Sequence, residues 1–522
     1  MWVAPVKARA VGAERDVDMS KARRALISVS DTTGLTDFVR GLVKLGITVV
    51  ATDDNAAMLR ADGCEVATIE QHVGARALAG AGSVQAIHPS LTQALMGSDE
   101  HATGFDLVVV NLEPFERIAG RRDSREHEIV AAIDLEGPAI LRGAAAHFEQ
   151  VLVVADPEAY PLVLAELEDS DCDPSYEVRK LLASRAFDAT AHYELAIANW
   201  FSEVEDFPTY MLRDYVKMTD LPFGENPHQR AAYYVEVGAR RHLLSMVEQL
   251  AGDDLNFNNL ADLNTARGLT ADFSIPACVI VKHGAPIGVA VSGDAAGAFE
   301  RALSADEQSA NGGVICMNRT VDAATARAIG MRNFDVLFAP GIDDDARAVL
   351  SEHAPSLRVL LDSERRKKSP GERDMKRVLG GLLVQDTDSD LEDREFMDVV
   401  TRVSPSEAQW GDLLFAWRVS KWVRSNAIVL ARDLTTVGIG GCNPSRADGM
   451  NFALGKAGDR ARGAMMASDA FLGYDDTVQT AIDAGIAGII QPGGSNRDDE
   501  IIRLADDAGI PMVFTHRRHF RR

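Results

Sequence analysis

Short apolar runs rich in valine and isoleucine alternate along this chain with stretches of helical periodicity, and this alternation constrains the fold more than any other feature. The runs of the first part are Ala25 to Ser30, Ile47 to Ala51, Asp106 to Asn111 and Val151 to Ala155. Similar runs follow at 278–281, 336–338, 427–430, 488–490 and 512–514. Strands that alternate with helices predict a parallel sheet covered by helices. We therefore predict an α/β fold, in which a helical stretch at 175–205 links two domains.

Length, composition and charge indicate the class of protein. The chain has 522 residues, of which 46% are hydrophobic and 25% charged, as in globular proteins of about two to four domains. Its net charge of -24 argues against a general surface for nucleic acid or for an anionic membrane. We therefore expect small-molecule ligands, with neither nucleic acid nor a membrane as a partner.

Cysteine spacing and the first residues bear on the cellular compartment. The five cysteines are far apart and none forms a CxxC pair, which predicts neither a disulfide framework nor a zinc site. Residues 1–24 carry charges throughout and lack the apolar core of a signal peptide. We expect them to be a disordered extension, with Met19 as an alternative start. The sequence thus predicts a cytoplasmic protein whose catalysis needs no metal.

A lysine and a histidine stand where one predicted strand ends. The apolar run Cys278 to Val281 stops at Lys282 and His283, and glycine and proline residues follow. Loops beyond strand ends are the usual ligand sites of α/β proteins. Histidine can act as a base near neutral pH, and a neighbouring lysine can protonate a leaving nitrogen or hold an anion. A packed histidine beside a surface lysine is the alternative, and this stretch alone favours it.

Longer motifs cover nearly the whole chain from about residue 24 onward. They are Ala25 to Asp31, Leu107 to Leu112, Ile133-Asp134, Gly224 to Gln229, Lys282-His283, Arg424 to Leu430, Ala467 to Phe471, Gln491 to Ser495, and Arg518 with Phe520. In this order the chain resembles the bifunctional enzymes of late purine biosynthesis, which join an IMP cyclohydrolase to an AICAR transformylase. The resemblance implies a methylglyoxal-synthase-like parallel α/β domain at 25–205. It also implies a transformylase region at 206–522, made of two cytidine-deaminase-like α/β halves without zinc.

The chemistry implied by this resemblance is folate-dependent formyl transfer. The co-substrate would be 10-formyltetrahydrofolate, and the acceptor would be the amine of AICAR, whose lone pair is delocalised and therefore poorly nucleophilic. Such a transfer needs a base at the amine, stabilisation of a tetrahedral oxyanion and an acid for the departing folate nitrogen. By resemblance, His283 is the base or base relay, and Lys282 is the proton donor or charge stabiliser. Asn426 would be the amide that holds the oxyanion or the imidazole.

Further residues are implied to bind the nucleotide or the folate. They are Asn226, His228, Asn258, Asn311, Gly312, Asp335, Arg446, Phe471 and Arg518. Asp335 would belong to the folate pocket, and Arg446 and Arg518 would meet the nucleotide phosphate. For each arginine, a surface ion pair is the alternative. The family is dimeric, so we expect a homodimer by analogy.

The N-terminal domain keeps the family's strands but departs from it where the chemistry is carried. The family has a Gly-Gly-Thr phosphate loop where this chain has Asp53, Asp54 and Asn55, and carboxylates repel a phosphate dianion. The family also has Lys, Lys, Tyr and Lys at the positions of Thr32, Gln85, Glu113 and Ala146. Asp134 is retained. We expect a domain with little or no cyclohydrolase activity, kept as a scaffold; binding of a less anionic ligand is the alternative.

Departures in the C-terminal region are fewer and lie on the nucleotide side. Pro222-Phe223 replace Arg-Tyr, Asn311 replaces a phenylalanine, and Cys442 to Arg446 replace Gly-Gln-x-Ser-Arg. Because the predicted catalytic residues remain, we expect formyl transfer to AICAR or to a close aminoazole-carboxamide nucleotide. Two rival interpretations are a fully bifunctional enzyme and a non-catalytic paralogue that binds folate or a partner subunit.

Overall fold

The structure of the chain is a computed structural model, which describes residues 22–69, 71, 104–121, 123–202, 206–237, 247–362, 373–389, 394–473 and 475–522. The chain divides into two compact units, Met1–Asp214 and Tyr215–Arg522, so the boundary falls after the predicted one at 205. Residues 1–21 of the predicted extension and the predicted site residue Gln85 lie outside the described residues. Ala22 is buried and its N–H donates to the Cys172 carbonyl at 2.7 Å, so the fold begins before β1.

The first unit contains a five-stranded parallel sheet. Its strands are β1 (Arg24–Val29), β2 (Thr48–Ala51), β3 (Ala67–Thr68), β4 (Leu107–Asn111) and β5 (Leu152–Val154). They lie in the order β3-β2-β1-β4-β5, and every neighbouring pair is parallel. The predicted parallel sheet of this unit is therefore confirmed. Its carboxyl ends share one edge, where the segments 30–34, 52–55 and 111–113 follow the strands.

Helices cover both faces of this sheet. They are α1 (Leu35–Lys44), α2 (Asp53–Ala61), α3 (Phe115–Ala119), α4 (Glu126–Ala131), α5 (Glu136–Ala146), α6 (Tyr160–Asp169) and α7 (Tyr176–Ser202). Ile27 of β1 packs in one core cluster with Val163 of α6. Leu26 packs in another with Ile140 of α5 and Ala183 of α7. Since successive strand residues point to opposite faces, these clusters are the two sides of the sheet, and α7 fills the predicted helical stretch.

The second unit contains a twelve-stranded mixed sheet and two separate hairpins. The sheet consists of β8 (Glu248–Ala251), β9 (Ala277–Lys282), β10 (Ala285–Val291), β11 (Val314–Met317), β12 (Val336–Ala339), β13 (Arg358–Leu361), β16 (Asp398–Val399), β17 (Ile428–Arg432), β18 (Thr435–Gly440), β19 (Met465–Ser468), β20 (Gly488–Gln491) and β21 (Met512–Phe514). Their order is β16-β21-β20-β19-β17-β18-β10-β9-β11-β12-β13-β8. The separate hairpins pair β6 (Tyr215–Leu221) with β7 (Ala231–Glu236), and β14 (Arg373–Val378) with β15 (Gly381–Asp386). The predicted α/β class is confirmed here too, although the middle of this sheet is antiparallel.

Helices flank the large sheet on both sides. They are α8 (Phe257–Ala271), α9 (Ala295–Ala305), α10 (Glu307–Ala310), α11 (Ala323–Gly330), α12 (Asp344–His353), α13 (Glu407–Ser420), α14 (Arg446–Ala457), α15 (Asp475–Asp483) and α16 (Asp498–Ala508). Leu263 of α8 and Leu413 of α13 belong to one core cluster that spans the sheet. Phe299 of α9 and Met450 of α14 belong to separate clusters. Among the described residues, no helix combines the length and apolarity needed to cross a membrane.

The second unit is built from two copies of one succession of elements. The first copy runs β8-α8-β9-β10-α9-β11-α11-β12-α12-β13, with α10 as an extra turn, and the second runs β16-α13-β17-β18-α14-β19-α15-β20-α16-β21. Both copies contain an antiparallel hairpin, β9–β10 or β17–β18, followed by three parallel strands. The copies join where β10 pairs with β18, at Ala290 and Thr435. This repeat agrees with the expectation of two halves, whose likeness to cytidine deaminases stays a prediction.

Gly288 and Gly438 are matching positions of the two hairpins, and each lies against a helix. A Cβ on Gly288 would lie 1.9 Å from the Ala302 carbonyl oxygen, and one on Gly438 would lie 2.1 Å from that of Ala453. Because backbone has to move to admit a methyl group, we expect Gly288→Ala to lower the free energy of unfolding by about 1–3 kcal/mol. Urea denaturation measures this loss. Gly293→Ala is the control, since its Cβ would meet no atom within 4 Å; an equal loss there would contradict the packing explanation.

Candidate functional site

Lys282 and His283 lie at a tight hairpin turn rather than at the start of an open loop. Lys282 ends β9 and pairs with Ala285, the first residue of β10. His283 and Gly284 form the two-residue turn with φ values of 54° and 73°, as in a type I′ turn. The sequence concealed this hairpin because Pro286 is unusual inside a strand. The expectation that a strand opens into a loop here is therefore corrected.

Lys282 belongs to a polar cluster with Asn311, Gly312 and Asp335. Its Nζ donates to the Asn311 carbonyl at 2.5 Å. A Cβ on Gly312 would lie 3.8 Å from this Nζ and 3.9 Å from Asp335 Oδ1, so the lysine and the carboxylate flank the same glycine. Asn259 donates from Nδ2 to Asp335 Oδ2 at 3.4 Å. Three residues predicted to bind ligand thus surround the predicted catalytic lysine.

A polar loop between β6 and β7 reaches the amino end of α8. Asn258 donates from Nδ2 to the Glu225 carbonyl of this loop at 3.3 Å. Within the loop, Gln229 Oε1 accepts from the Asn226 N–H at 2.9 Å and from its Nδ2 at 3.0 Å. His228 is exposed in the same loop. The predicted residues Asn226, His228 and Asn258 are therefore brought together at the amino end of α8. The same end of α8 contacts the lysine cluster through Asn259.

His283 lines a cavity of about 240 Å³ between the two copies of the repeat. The hairpin turn forms one wall, and Arg424 and Cys442 belong to the opposite one. Lys456 also borders the cavity and donates to Asp306 Oδ2 at 2.5 Å. Burial alone would raise the pKa of Asp306, but its bonds to Lys456 and to a neighbouring serine outweigh burial and lower that pKa. His283 therefore lines a cavity in which the charges of Lys456 and Asp306 balance each other.

Asn426 holds the loop that forms the wall opposite His283. Its Nδ2 donates to the Asn443 carbonyl at 3.1 Å and to the Pro444 carbonyl at 3.0 Å. These two residues directly follow Cys442, which lines the cavity. The side-chain amide of Asn426 thus holds the loop in place. Cys442 of this loop lines the cavity, whereas Asn426 itself does not.

A buried carboxylate, that of Asp469, links Ser425 to Arg446. Asp469 Oδ1 accepts from Arg446 Nη2 at 3.3 Å, and Oδ2 accepts from Ser425 Oγ at 2.5 Å. Burial raises the pKa of Asp469 and lowers that of Arg446, while their ion pair opposes both shifts. The guanidinium also lies 6.0 Å from the ring of Phe471 and 5.9 Å from that of Phe520. Arg446, which was predicted to meet phosphate, therefore already has a charged partner within the protein.

Arg518 is an exposed arginine near the carboxyl terminus. Its guanidinium lies 4.8 Å from the ring centroid of Phe520, and its side chain is accessible to solvent. The segment that follows is anchored, because the Arg521 N–H donates to Ser425 Oγ at 3.1 Å and the Ser425 N–H donates to the Arg521 carbonyl at 2.8 Å. Phe471, also exposed, is near the guanidinium of Arg446. The structure thus brings Arg446 and Arg518 to the ring of Phe520, and Phe471 to Arg446.

In the first unit, the carboxyl edge of the sheet carries Thr32, Asp53, Asp54, Glu113 and Asp134 of the predicted degenerate residues and is acidic. Asp53 and Asp54 form the exposed first turn of α2. Thr32 and Glu113 are exposed where β1 and β4 end, whereas Ala146 is exposed at the far end of α5, which leads back to the start of β5. Asp134 Oδ1 accepts from the N–H groups of two residues in the first turn of α5, at 3.0 and 2.8 Å. The retained aspartate therefore caps a helix.

Asparagine side chains form hydrogen bonds with backbone groups at this edge. Asn55 is buried, accepts the Val29 N–H at 2.9 Å and donates to the Val29 carbonyl at 3.0 Å. Asn111 Oδ1 accepts the N–H groups of Ser30 and Asp31 at 2.7 and 2.8 Å. An anion bound at this edge would need such N–H groups. They are already engaged by the protein.

Charges at this edge are also unfavourable for a phosphate. Hydrogen bonds from Thr33 hold the pKa of Asp31 below its usual value, so this carboxyl is ionised at neutral pH. Burial raises the pKa of Tyr160 to about 12, with further contributions from the charges of Asp31 and Asp156. The edge therefore carries negative charge at neutral pH.

Relatives of the chain decide its family. It matches a profile of the AICARFT/IMPCHase bienzyme over residues 144–456. It is also 41% identical to the bifunctional purine biosynthesis protein PurH of Xylella fastidiosa strain 9a5c over 530 residues, which cover 97% of this chain and 99% of that protein. The chain belongs to the AICARFT/IMPCHase bienzyme family.

Further similarities involve a second relative and a solved structure. The PurH protein of Xylella fastidiosa strain M12 is 40% identical, over 97% of this chain and 99% of that protein. The crystal structure of ForH covers 34% of this chain and 99% of that chain, with 30% identity and a TM-score of 0.30. Membership of the AICARFT/IMPCHase family confirms the resemblance drawn from the motifs.

Several polar residues of this AICARFT/IMPCHase chain were not singled out from the sequence. Asp469 and Ser425 stood inside quoted motifs without a role, and their mutual contact joins residues far apart in the chain. Asp262 and Asn259 lie on the buried side of α8. A polar residue on a buried helix face was the signal that could have found them. Within the described residues, no group of three or more His, Cys, Asp or Glu side chains could hold a metal ion.

Proposed function

We propose that this member of the AICARFT/IMPCHase family transfers a formyl group from 10-formyltetrahydrofolate to the amine of AICAR or of a close aminoazole-carboxamide nucleotide. We further propose that its N-terminal unit has little or no IMP cyclohydrolase activity. The observation that carries the first proposal is the hairpin turn between β9 and β10. It presents a lysine to a polar cluster and a histidine to a neighbouring cavity.

The amine of the acceptor would attack the formyl carbon of the folate. His283 would accept the proton that the amine loses, because its exposed side chain lines the cavity and an imidazole can act as a general base. The carbonyl oxygen becomes an oxyanion in the tetrahedral intermediate, which a cation stabilises. When the bond from this carbon to the folate nitrogen breaks, Lys282 would donate the proton that the nitrogen needs. The products are the formylated nucleotide and tetrahydrofolate.

The neighbours of Lys282 support a polar ligand at this position. Asp335 and Lys282 both border Gly312, because a Cβ built there would be in ordinary van der Waals contact with each, at 3.9 and 3.8 Å. A glycine between two charged groups lets a planar ligand approach the backbone closely. Asp335 can accept hydrogen bonds from the N–H groups of a pterin ring.

Arg518 is the better candidate for binding the nucleotide phosphate. Of the two arginines predicted to meet phosphate, Arg446 is ion-paired with buried Asp469, whereas Arg518 is exposed. An accessible guanidinium matches the geometry of phosphate oxygens. The loop at Cys442 differs from the family pattern and lines the cavity beside His283. It therefore favours, as an alternative to AICAR, an acceptor with a different base.

Release of tetrahydrofolate tests this function directly. The full chain is incubated with 10-formyltetrahydrofolate and AICAR, absorbance follows tetrahydrofolate, and mass spectrometry identifies the nucleotide product. We expect turnover and accumulation of the formylated, open-ring product. Ring-closed product formed faster than in the absence of enzyme would establish full bifunctionality. Bound folate without turnover on AICAR or its azole analogues would favour the non-catalytic paralogue.

A further inference from the structure

We propose that Asp262 is a positioning residue that holds Lys282 and His283 in the geometry required for formyl transfer. Asp262 lies on α8 and is 8% exposed. Its Oδ2 accepts the N–H of His283 at 3.0 Å, and its Oδ1 accepts the N–H of Gly284 at 2.5 Å. One carboxylate thus binds both central residues of the turn. The inference rests on the proposed function, because it assigns the pair a shared chemical task.

The turn needs such a partner because its conformation is unfavourable. His283 has a φ of 54°, a left-handed conformation that is unfavourable for a residue with a Cβ. Glycine adopts it freely, but only the second turn position is glycine. Two charge-assisted hydrogen bonds donated by the turn to a buried carboxylate offset this cost, since bonds of this kind are stronger than neutral ones.

The second copy of the repeat contains the same device without the catalytic pair. In the β17–β18 hairpin, Asp433 and Leu434 have φ values of 53° and 57°. Asp412 on α13 accepts their N–H groups at 2.9 and 2.6 Å. Asp412 is 9% exposed, close to the value for Asp262. The residue at the position of Lys282 is Arg432, whose guanidinium donates to the Arg462 carbonyl at 2.9 Å.

This repetition separates the structural task of the carboxylate from its effect on catalysis. Both aspartates stabilise a left-handed turn, so removing either should cost similar stability. Only Asp262 stabilises a turn that carries Lys282 and His283. If the first turn relaxes, the Lys282 Nζ moves relative to Asn311, and the imidazole moves relative to the cavity. A misplacement of about 1 Å at a reacting group can lower a rate about 100-fold.

The test compares Asp262→Asn with its matched control Asp412→Asn in the full chain. An asparagine can accept only one of the two N–H groups, because its NH₂ faces the other. We expect both variants to lose similar thermal stability. Asp262→Asn should lower kcat by about 10- to 100-fold. It should also change the pH profile of kcat, with a smaller change in KM for the folate. Asp412→Asn should keep kcat and the pH profile close to those of the wild-type protein.

A second readout decides the proposal independently of turnover. Side-chain NMR of ¹⁵N-histidine follows the titration of His283, assigned with His283→Gln. The charged groups bordering the same cavity are Asp306, Arg424 and Lys456, and neither substitution removes them. We expect the His283 titration to shift in Asp262→Asn and not in Asp412→Asn. If the wild-type protein transfers no formyl group, the proposed function fails, while this comparison still tests the positioning role.

Two outcomes would overturn the positioning role. One is an Asp262→Asn variant with wild-type kcat and an unshifted His283 titration. The other is equal loss of kcat and an equal titration shift in both variants, which would assign the effect of Asp262 to general stability.

Discussion

Replacement of His283 by alanine is expected to lower kcat for formyl transfer by about 10²- to 10⁴-fold, the usual contribution of a positioned acid or base. The amine of the acceptor is weakly nucleophilic, so the transfer depends on a group that removes its proton as the new bond forms. Lys282→Ala should cause a loss of similar size, because both the oxyanion and the departing nitrogen depend on a nearby cation. Steady-state rates of tetrahydrofolate release measure both effects.

The control for these substitutions is His353→Ala. His353 ends α12, is exposed and does not line the cavity that His283 borders. Its loss should leave kcat and KM unchanged. Retention of full activity by both Lys282→Ala and His283→Ala would contradict the assigned chemistry and would favour a binding protein.

The second large effect concerns the N-terminal unit, where we expect ring closure of the formylated nucleotide to proceed no faster with enzyme than without it. The edge of the sheet that would hold the phosphate carries Asp53 and Asp54 in the first turn of α2, and carboxylates repel a phosphate dianion. Purified formylated nucleotide is supplied without folate, and IMP formation is followed by chromatography. A rate well above that of buffer alone would contradict the proposal.

Binding measurements test the physical cause of this inactivity. The double variant Asp53→Asn, Asp54→Asn removes two negative charges and should raise the affinity for IMP roughly tenfold at low salt. The matched control is Glu168→Gln with Asp169→Asn. These carboxylates end α6, which begins after β5 at the carboxyl edge of the sheet and therefore ends at the opposite edge. Calorimetric titration at two salt concentrations distinguishes the pairs. An equal gain for both would indicate a general charge effect.

The buried strands could be predicted from sequence because burial dictates their composition. Both faces of β9 and β17 are covered, so their sequences are continuous apolar runs that stand out. The family pattern implied a loop at Asp53, Asp54 and Asn55, but α2 begins at Asp53. Acidic residues favour the first turn of a helix, and the comparison with a glycine-rich loop did not take this preference into account.

The candidate site could be predicted only in part. Lys282 and His283 were found because they interrupt an apolar run, and the motif order supplied the other residues. The contact of Arg446 with Asp469 and that of Asn426 with Asn443 depend on how strands and loops are arranged, which no local pattern contains. The two halves of the second unit were predicted from the family resemblance and not from an internal sequence repeat, for a related reason. The two copies share hairpin geometry and a few positions, such as Gly288 and Gly438, more than they share sequence.

The pairing of β10 with β18 also affects the order in which this unit can fold. Besides the Ala290–Thr435 pair, the Val289 N–H donates to Thr436 Oγ1 at 2.9 Å, and the Val291 N–H donates to the Leu434 carbonyl at 3.1 Å. Contacts between segments so far apart in the chain form slowly. Until they form, each half-sheet ends in an unpaired apolar strand, which is a template for pairing with other chains. During folding, the seam that completes the cavity is therefore also the place where this protein is most exposed to misassembly.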